Sequence, residues 1–366
     1  MTTPFNLSVF ANLLNASGQA SPSAFSDQGN TSTGGLGLPI GTTAQRPASP
    51  ANGYTRINST TGVIETYYSS AWNTVYIFAA PVTGTQKAIF GYGYTTAYVS
   101  MTNLVSNTGV VATDTTGVGT SRAYLAAASY GTDKAIFGYG ENSGALSITN
   151  LVSNTGVVAT NTAGVGTARQ YLAAASYGTD KAIFGFGGSS TNITNLVSST
   201  GVVASDTSGV GTGRNFLGAA SYGTDKAIFG FGGSSTNITN LVSNTGVVSS
   251  DTSGVGTGRY FLTATNYGTD KAMFGYGLTS VAVSITNLVS NTGVVATDTT
   301  GVGTARYILA ASNYGSDKAL FGYGANNSGI SVSMTNLVSS TGVVATDTTG
   351  VGTARYGLAA AGYSLT

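Results

Sequence analysis

Residues 134–140 (Lys-Ala-Ile-Phe-Gly-Tyr-Gly) and 149–158 (Thr-Asn-Leu-Val-Ser-Asn-Thr-Gly-Val-Val) mark a unit that the chain contains six times, with small changes. Each copy continues into Gly-Val-Gly-Thr and, two residues later, an arginine. Successive copies are spaced by 45 to 49 residues, a period typical of propeller blades and of some solenoids. The repeat lysines are Lys87, Lys134, Lys181, Lys226, Lys271 and Lys318.

Each unit is predicted to contain four short strands and no helix. In the second copy, residues 122–129 form an Ala-rich strand and residues 134–139 a strand that ends at glycines. Residues 147–153 alternate apolar and polar side chains, and Asn-Thr-Gly then allows a tight hairpin into a short outer strand, residues 157–160. Because small residues pack where blades crowd at a narrow axis, we place the Ala-rich strand innermost.

This order of features is similar to the kelch repeat of β-propellers. In both, a strand ends in paired glycines, a polar loop and a hairpin follow, and an arginine opens the next small-residue strand. Phe184–Gly188 and Phe229–Gly233 (Phe-Gly-Phe-Gly-Gly) are nearest to the kelch diglycine. The likeness covers Lys87 to Tyr363 but lacks the kelch outer-strand Trp and Tyr-Asp pair, which Val-Val and Ser-Asn replace.

The strand count predicts how the repeats end. One additional first strand, residues 355–363, follows the last unit and can fill the vacant innermost position of the blade that begins at Lys87. We therefore predict an all-β chain with a six-bladed kelch-like propeller of four-stranded blades over residues 79–366, closed by this C-terminal strand. Residues 76–86 also align loosely with the first strand, as a competing closure or a linker. An open solenoid of six units is the alternative.

Variation among the copies is concentrated in two segments. The connection between the second and third strands differs in sequence and, in steps of two residues, in length, which preserves side-chain facing. The residue after each repeat arginine also varies, and both segments belong to one rim of an up-and-down blade. We predict that this rim binds a ligand, with neutral drift of exposed loops as the alternative. The candidate contacts are Tyr94, Glu141, Asn142, Tyr260, Tyr307, Asn326, Asn327 and Tyr356.

Composition argues against catalysis. The 366 residues include no histidine and no cysteine, so the commonest general base, the thiol nucleophile and the usual transition-metal ligands are missing. Nearly all charges recur at repeat positions, as rings and not as one asymmetric cluster. We therefore predict that the chain is not an enzyme and has no cofactor or metal. A net charge of +1 without a basic patch gives no indication of nucleic-acid binding.

An aspartate precedes most repeat arginines by eight residues. A carboxylate that caps the loop or pairs with the guanidinium would secure the crossing between blades. The alternative is a carboxylate ring that binds a cation such as Ca²⁺, or arginines that contact an anionic sugar. The residues are Asp114, Asp206, Asp251, Asp298 and Asp347, with Asn161 in the remaining copy, and the arginines are Arg122, Arg169, Arg214, Arg259, Arg306 and Arg355.

Residues 1–37 have a different composition, rich in Ser, Thr, Ala, Asn and Gly. Their apolar stretch, residues 5–14, lacks the basic start of a secretory signal and is too short and polar to cross a membrane. We predict an extended arm that becomes ordered by docking on a partner, with a flexible linker as the alternative.

Residues 38–78 are predicted to form a small three-stranded meander with turns at 59–62 and 69–71, anchored by the only tryptophan. This segment resembles a small β module of bacteriophage tail-fibre and other virion structural proteins. The motif residues are Arg46, Pro47, Pro50, Gly53, Arg56, Asn58, Thr60 to Gly62, Ala71 and Trp72.

The repeats, in turn, look like those of structural proteins of marine cyanophages. Together these resemblances imply a fibre or tail protein of the virion, located on the tail or the capsid surface and made in the host bacterial cytoplasm. They imply that the arm and module attach to other virion proteins and that the propeller binds a host-surface glycan or protein, with no insertion into a membrane. A homo-oligomer, with a trimer favoured, would add avidity.

Three alternatives remain open at this point. The chain could be an architectural decoration or adaptor of the virion without a ligand. A sugar-depolymerising tailspike would need a close pair of carboxylates in one pocket. A cellular surface adhesin is the third alternative.

Overall fold

The computed structural model describes residues 38–75 and 86–364. Contacts divide the chain into two units, one before and one after the junction between residues 82 and 83. The predicted arm, residues 1–37, and most of the possible competing closure, residues 76–85, lie outside the described residues. In the part of the chain that the structure describes, no helix is long and apolar enough to cross a membrane.

The N-terminal unit contains one sheet, whose strands lie in the order β1 (Ile40–Gly41), β2 (Thr55–Asn58), β3 (Val63–Tyr68) and β4 (Ala71–Val75). Strands β2, β3 and β4 form an antiparallel meander, as predicted, and β1 adds a parallel strand beside β2 that the sequence pattern did not indicate. Ser69 and Ser70 both have positive φ, as a two-residue hairpin turn requires. A short 3-10 helix, Thr43–Gln45, lies between β1 and β2.

Trp72 and a buried carboxylate organise this unit. The guanidinium carbons of Arg46 and Arg56 lie 5.5 and 5.9 Å from the Trp72 ring centroid, within cation–π range. Glu65, 2% exposed, accepts hydrogen bonds from Arg46 Nη2 at 2.5 Å and Asn58 Nδ2 at 3.0 Å. The Arg46 hydrogen bond holds the pKa of Glu65 below its usual value. Four residues of the sequence motif (Arg46, Arg56, Asn58 and Trp72) therefore contact Glu65 or one another within the module.

The repeat region is all-β and consists of six three-stranded antiparallel sheets, which we number 1 to 6 along the chain by their middle strands. The middle strands are β5 (Lys87–Tyr94), β8 (Lys134–Gly138), β11 (Lys181–Gly185), β14 (Lys226–Gly230), β17 (Lys271–Gly275) and β21 (Lys318–Gly322). The third strands are β6 (Tyr98–Val105), β9 (Thr149–Val152), β12 (Thr194–Val197), β15 (Thr239–Val242), β18 (Thr286–Val289) and β23 (Thr335–Val338).

The first strands supply the Ala-rich edge of each sheet. In sheet order they are β24 (Ala359–Tyr363), β7 (Ala126–Tyr130), β10 (Ala173–Tyr177), β13 (Gly218–Tyr222), β16 (Thr263–Tyr267) and β20 (Ala310–Tyr314). Sheet 6 also carries a short pair, β19 (Arg306–Tyr307) and β22 (Ala325–Asn326). The predicted strand over residues 122–129 begins only at Ala126, because Tyr124 has φ 53° and leaves the extended conformation.

The prediction of four-stranded repeat units is wrong in one respect. The fourth strand is reduced to two isolated bridges in each unit, for example Thr149 with Thr162 and Val152 with Val158. Between these bridges the Asn150 side chain donates to the Ala159 carbonyl oxygen at 3.0 Å. A side-chain amide thus takes the place of a backbone ladder bond, and the same contact recurs in every unit.

The two ends of the repeat region meet in sheet 1. Strand β24 pairs antiparallel with β5, in register from Ala359 opposite Gly91 to Tyr363 opposite Lys87. This is the pairing predicted for the surplus C-terminal strand. Sheet 1 therefore contains residues from both ends of the repeat region.

Two series of backbone hydrogen bonds join successive units, one at each end of the first strands. In one series the donor and acceptor pairs are Tyr124 to Gly357, Gly357 to Ile308, Ile308 to Phe261, Phe261 to Phe216, Phe216 to Tyr171 and Tyr171 to Tyr124, at 2.7 to 3.1 Å. In the other they are Gly131 to Asp180, Gly178 to Asp225, Gly223 to Asp270, Gly268 to Asp317, Gly315 to Gln86 and Ser364 to Asp133, at 2.7 to 2.9 Å. Each series passes through all six units.

The core lies between adjacent sheets. Ile136 and Tyr139 of sheet 2 belong to one buried cluster with Ala182 and Phe184 of sheet 3. A Cβ at Gly138 would lie 2.6 Å from Phe184 Cζ, so the glycine that ends β8 makes room for the phenylalanine of the next sheet. Gly138, the first of the two glycines at the end of this strand, therefore has a packing function.

Candidate functional site

The two varied segments lie side by side in every unit, as predicted. We call them together the variable rim: the connections between middle and third strands and the residues that follow the repeat arginines. Bridges join Tyr94 to Tyr356, Ala123 to Glu141, Tyr260 to Leu278 and Tyr307 to Ala325. In the other two units the Gly188 and Gly233 amides donate to the Gln170 and Asn215 carbonyls, both at 2.7 Å.

The repeat arginines make buried hydrogen bonds and ring contacts next to the variable rim. Arg169 is buried and donates through Nε to the Phe186 carbonyl at 2.8 Å and through Nη2 to Asn195 Oδ1 at 2.6 Å. Its guanidinium carbon lies 4.4 Å from the ring centroid of Tyr139 in the preceding unit. The corresponding stacked pairs are Arg122–Tyr92, Arg214–Phe186, Arg259–Phe231, Arg306–Tyr276 and Arg355–Tyr323.

The repeat aspartates cap loops. Each lies beside a repeat arginine, but not the one that follows it by eight residues. Asp206 accepts from Thr167 Oγ1 at 2.6 Å and from Asn195 Nδ2 at 2.9 Å, and lies 3.9 Å from Arg169 Nη1. Asp206 therefore lies against the loop that contains Thr167 and precedes Arg169, the arginine 37 residues before it in the sequence. The equivalent partners are Asp114 with Thr353, Asp251 with Thr212, Asp298 with Thr257, Asp347 with Thr304 and Asn161 with Thr120.

The lysines stand in the uniform turns at the other ends of the strands. Lys134 Nζ lies 2.6 Å from Asp133 Oδ1, and Lys181, Lys226, Lys271 and Lys318 pair in the same way with the preceding aspartate. These pairs are solvent-exposed and contribute little to stability. Among the described residues, no group of three or more His, Cys, Asp or Glu side chains is placed to hold a metal ion.

A third varied position, two residues after each repeat arginine, was missed by the sequence analysis. Rings at this position approach one another at 4.6 Å between Tyr124 and Tyr171, 4.4 Å between Tyr171 and Phe216, and 4.1 Å between Phe216 and Phe261. Together with the leucines that directly precede the first strands and the small residues that begin those strands, they line a cavity of about 120 Å³. The signal was present as variation between copies, but the positive φ at all four aromatic residues cannot be read from sequence.

Five tyrosines gather in and directly beside one sector of the variable rim, and we call them the tyrosine cluster: Tyr94, Tyr98, Tyr124, Tyr171 and Tyr356. Ring centroids are 5.2 Å apart for Tyr94 and Tyr98, 5.5 Å for Tyr94 and Tyr356, and 6.3 Å for Tyr124 and Tyr356. All five side chains are partly exposed. Residues separated by more than 200 positions in the sequence thus form one aromatic surface.

Glu141 borders this cluster. Tyr98 donates its hydroxyl hydrogen to Glu141 Oε1 at 3.0 Å. Burial, and then the charge of Glu141, raises the pKa of Tyr171 to about 12. Burial, followed by Tyr356 and Tyr171, raises the pKa of Tyr124 far above its ordinary value. These two phenols are therefore neutral at physiological pH and act as aromatic surfaces with a hydroxyl.

The other predicted contacts lie elsewhere on the rim or are already used. Asn142 Nδ2 donates to the Ser121 carbonyl at 2.7 Å. Asn326 Oδ1 accepts from the Ile330 amide at 3.0 Å, and Asn327 Oδ1 accepts from the Ala282 amide at 2.9 Å. Tyr260 and Tyr307 flank Phe261, at ring distances of 5.2 and 6.1 Å. Tyr260, Tyr307, Asn326 and Asn327 belong to sheets 5 and 6, which we call the opposite sector.

The comparisons with known proteins give a distant structural likeness and no sequence match. No protein-family model matches the chain, and no curated protein matches its sequence. Among solved structures, the chain is similar to a fungal alcohol oxidase of the AA5 family in complex with copper, with 13% sequence identity and a TM-score of 0.48. The match covers 74% of this chain and 66% of the oxidase, just under two thirds of the latter.

This match corrects one prediction. The prediction that the chain is not an enzyme is contradicted, because the similar structure is that of an oxidase. Function is a property of a site and not of a fold. The absence of two residue types, histidine and cysteine, does not by itself exclude an enzyme. With a TM-score of 0.48, the likeness carries no argument about the chemistry of this chain.

Proposed function

We propose that the chain is a bacteriophage fibre or tail protein that binds a host-surface structure, most simply a glycan, through the variable rim of a closed six-bladed kelch-like propeller. The observation that carries the binding proposal is the contrast between a repeated scaffold and a rim on which aromatic rings, a carboxylate and amides differ from unit to unit. Such a surface is suited to sugars, because aromatic faces pack on the apolar side of a sugar ring while polar groups bind its hydroxyls.

Closure of the propeller is supported by contacts between the ends of the repeat region. Strand β24 completes the sheet of β5 and β6, and Asp114 caps the loop at Thr353, with Oδ2 2.6 Å from Thr353 Oγ1. Both series of backbone hydrogen bonds return to the unit in which they begin. A closed arrangement leaves no first strand without a partner, which protects the sheet edges.

The virion assignment rests on the resemblance of residues 38–78 to a phage-fibre module. Its motif residues Arg46, Arg56 and Asn58 contact Glu65, and Trp72 lies against the two arginines, so the motif residues contribute to the internal contacts of this module. We propose that the module and the preceding arm attach to other virion proteins, and that copies of the chain assemble as a homotrimer. Sedimentation velocity of the full chain tests the oligomeric state.

One observation favours a second candidate, an architectural virion protein without a glycan ligand. The amides of Asn142, Asn326 and Asn327 are bound to neighbouring backbone groups of the rim, as expected where polar side chains serve loop structure. In that case the rim would contact other virion proteins.

A glycan screen distinguishes the two candidates. The full chain is applied to an array of bacterial-surface glycans beside a variant with Tyr260, Tyr307 and Tyr356 changed to alanine. Specific binding that weakens in the variant supports the receptor-binding proposal. An array without any specific signal from a correctly assembled oligomer overturns it and favours the architectural candidate.

A further inference from the structure

We propose that the tyrosine cluster and Glu141 form a subsite for a cationic ammonium group, primary or quaternary, carried by the ligand. This inference deepens the proposed function by naming the chemistry that one sector of the rim recognises. It rests on the proposed function only for the natural source of the group, such as an amino sugar or a choline substituent of a surface polymer.

The first argument is that the Glu141 carboxylate has no cationic partner among the described residues. Elsewhere in the described repeat region, the aspartates either pair with the following lysine or cap a threonine amide and hydroxyl beside a repeat arginine. Glu141 accepts a hydrogen bond from the Tyr98 hydroxyl and makes no ion pair with any described lysine or arginine. A partly buried carboxylate with a single neutral donor retains the capacity to bind a cation.

The second argument is the group of aromatic rings that begins at Tyr98, the hydrogen-bond partner of Glu141. The planes of Tyr94 and Tyr98 are inclined by 78°, and those of Tyr94 and Tyr356 by 42°, so the rings present faces in several directions. The face of an aromatic ring carries negative quadrupole potential and attracts an ammonium group within about 6 Å of the centroid. Aromatic cages recognise quaternary ammonium ions in this way, and here Glu141 adds a negative charge beside the rings.

The third argument is that the opposite sector has no carboxylate at the positions equivalent to Glu141. Leu278 occupies the place of Glu141 there, bridged to Tyr260, and Ala325 occupies it beside Tyr307. Aromatic rings therefore occur in both sectors, whereas the carboxylate occurs in one. A neutral sugar would be served by either sector, but an ammonium group distinguishes them.

A structural role for Glu141 is the competing explanation. Arg122 is the repeat arginine whose entry loop is capped by Asn161 and not by an aspartate. Glu141 could therefore balance the charge of Arg122, which is buried. This explanation predicts that Glu141→Gln lowers the thermal stability and that no cation binds.

The test uses choline and its neutral isostere 3,3-dimethylbutan-1-ol, titrated into the full chain by isothermal calorimetry. We expect choline to bind at least about tenfold more tightly than the isostere, because only choline has the charge. Glu141→Gln should remove about the same factor while its unfolding temperature stays that of the wild type. Tyr98→Phe, which removes the hydroxyl that positions Glu141, should weaken binding less, and Tyr260→Ala in the opposite sector should leave it unchanged.

Equal affinity for choline and its isostere, no binding of choline, or undiminished choline binding by Glu141→Gln would each overturn the inference. A fall in the unfolding temperature of Glu141→Gln without any choline binding would establish the structural explanation instead. The glycan array reports separately on the proposed function: neutral glycans bound without dependence on Glu141 would leave that proposal intact and remove this one. Choline binding together with a glycan array that shows no specific signal would leave this inference intact and remove the proposed function.

Discussion

The tyrosine cluster and the opposite sector occupy the same rim but are assembled differently. The cluster joins Tyr94 from the start of the repeat region to Tyr356 from its end, through a bridge and a ring contact. The opposite sector is built by consecutive units, with Tyr260 and Tyr307 on either side of Phe261. A rim repeated six times thus acquires one sector that exists only when the two ends of the repeat region meet. We expect chemical specificity where the repeat symmetry is broken.

The largest effect should follow from removing that meeting point. Deletion of residues 356–366 removes β24 with the buried Leu358 and Tyr363, and exposes the edge of β5. We expect a loss of about 5 kcal/mol or more in the free energy of unfolding, because each buried large side chain is worth about 2–5 kcal/mol. Urea unfolding followed by circular dichroism measures this change.

The point variant Tyr356→Ala is the matched control for the deletion. It removes a ring of the tyrosine cluster but retains β24, so its stability should stay close to that of the wild type while choline binding weakens. If the deletion variant is as stable as the intact chain, the contacts between β24 and β5 do not hold the repeat region together.

Acid should destabilise the repeat region through its aspartate caps. Partial burial raises the pKa of Asp206, but hydrogen bonds from Thr167 and Asn195 outweigh it and bring the pKa below the ordinary value. The same balance applies at Asp114, Asp251, Asp298 and Asp347. For a carboxyl group with a depressed folded-state pKa, the stabilisation is complete above the unfolded value of about 3.9 and is lost as the pH falls through the folded value.

We therefore expect the unfolding temperature to fall progressively as the pH decreases below about 4. The variant Asp206→Asn, which imitates the natural Asn161, should show a shallower fall. An unfolding temperature that does not change between pH 5 and pH 2 would contradict the capping function of these aspartates.

A gain of function would sharpen the comparison between sectors. Leu278→Glu places a carboxylate beside Tyr260 at the position that Glu141 occupies in the second unit. We expect this variant, combined with Glu141→Gln, to recover choline binding only in part, by about threefold, because the opposite sector offers fewer tyrosine faces. Leu278→Gln is the control of the same shape. Equal choline affinity of the Glu and Gln variants would show that a carboxylate at this position is not sufficient.

The smallest effect concerns Asn161. The variant Asn161→Asp restores the common aspartate cap beside Arg122 and should stabilise the chain by about 0.2–1 kcal/mol, the typical range for an exposed charged pair. In this background Glu141→Gln should remain without effect on the unfolding temperature. A stability loss from Glu141→Gln that disappears in the Asn161→Asp background would instead assign Glu141 to charge balance with Arg122.

Much of the architecture could be predicted from the repeat. Its period, glycines and alternation predicted antiparallel sheets, the pairing of β24 with β5 and the adjacency of the two varied segments. The reduced fourth strand was not predicted, since nothing in the pattern shows that the Asn150 side chain takes over a ladder bond. The aspartates were predicted to cap the loop or to pair with the arginine eight residues later. They cap loops, but beside another repeat arginine, such as Arg169 for Asp206, and sequence distance gives no indication of that partner.

The site was less predictable than the scaffold. Tyr94, Glu141 and Tyr356 were predicted as contacts from variation alone, and the structure brings Tyr94 and Tyr356 together. Tyr98, Tyr124 and Tyr171 were missed. Tyr124 and Tyr171 adopt a left-handed backbone conformation that large side chains rarely take, so neither their direction nor their mutual contact follows from periodicity.

The most direct test compares the two sectors on one glycan array. The wild type is screened beside a cluster variant (Tyr94→Ala, Glu141→Gln, Tyr356→Ala) and an opposite-sector variant (Tyr260→Ala, Tyr307→Ala, Asn327→Ala), all as full chains of matched oligomeric state. The account predicts that ammonium-bearing glycans bind the wild type and the opposite-sector variant and that the cluster variant loses them. Equal binding by both variants, or equal loss from both, would contradict it.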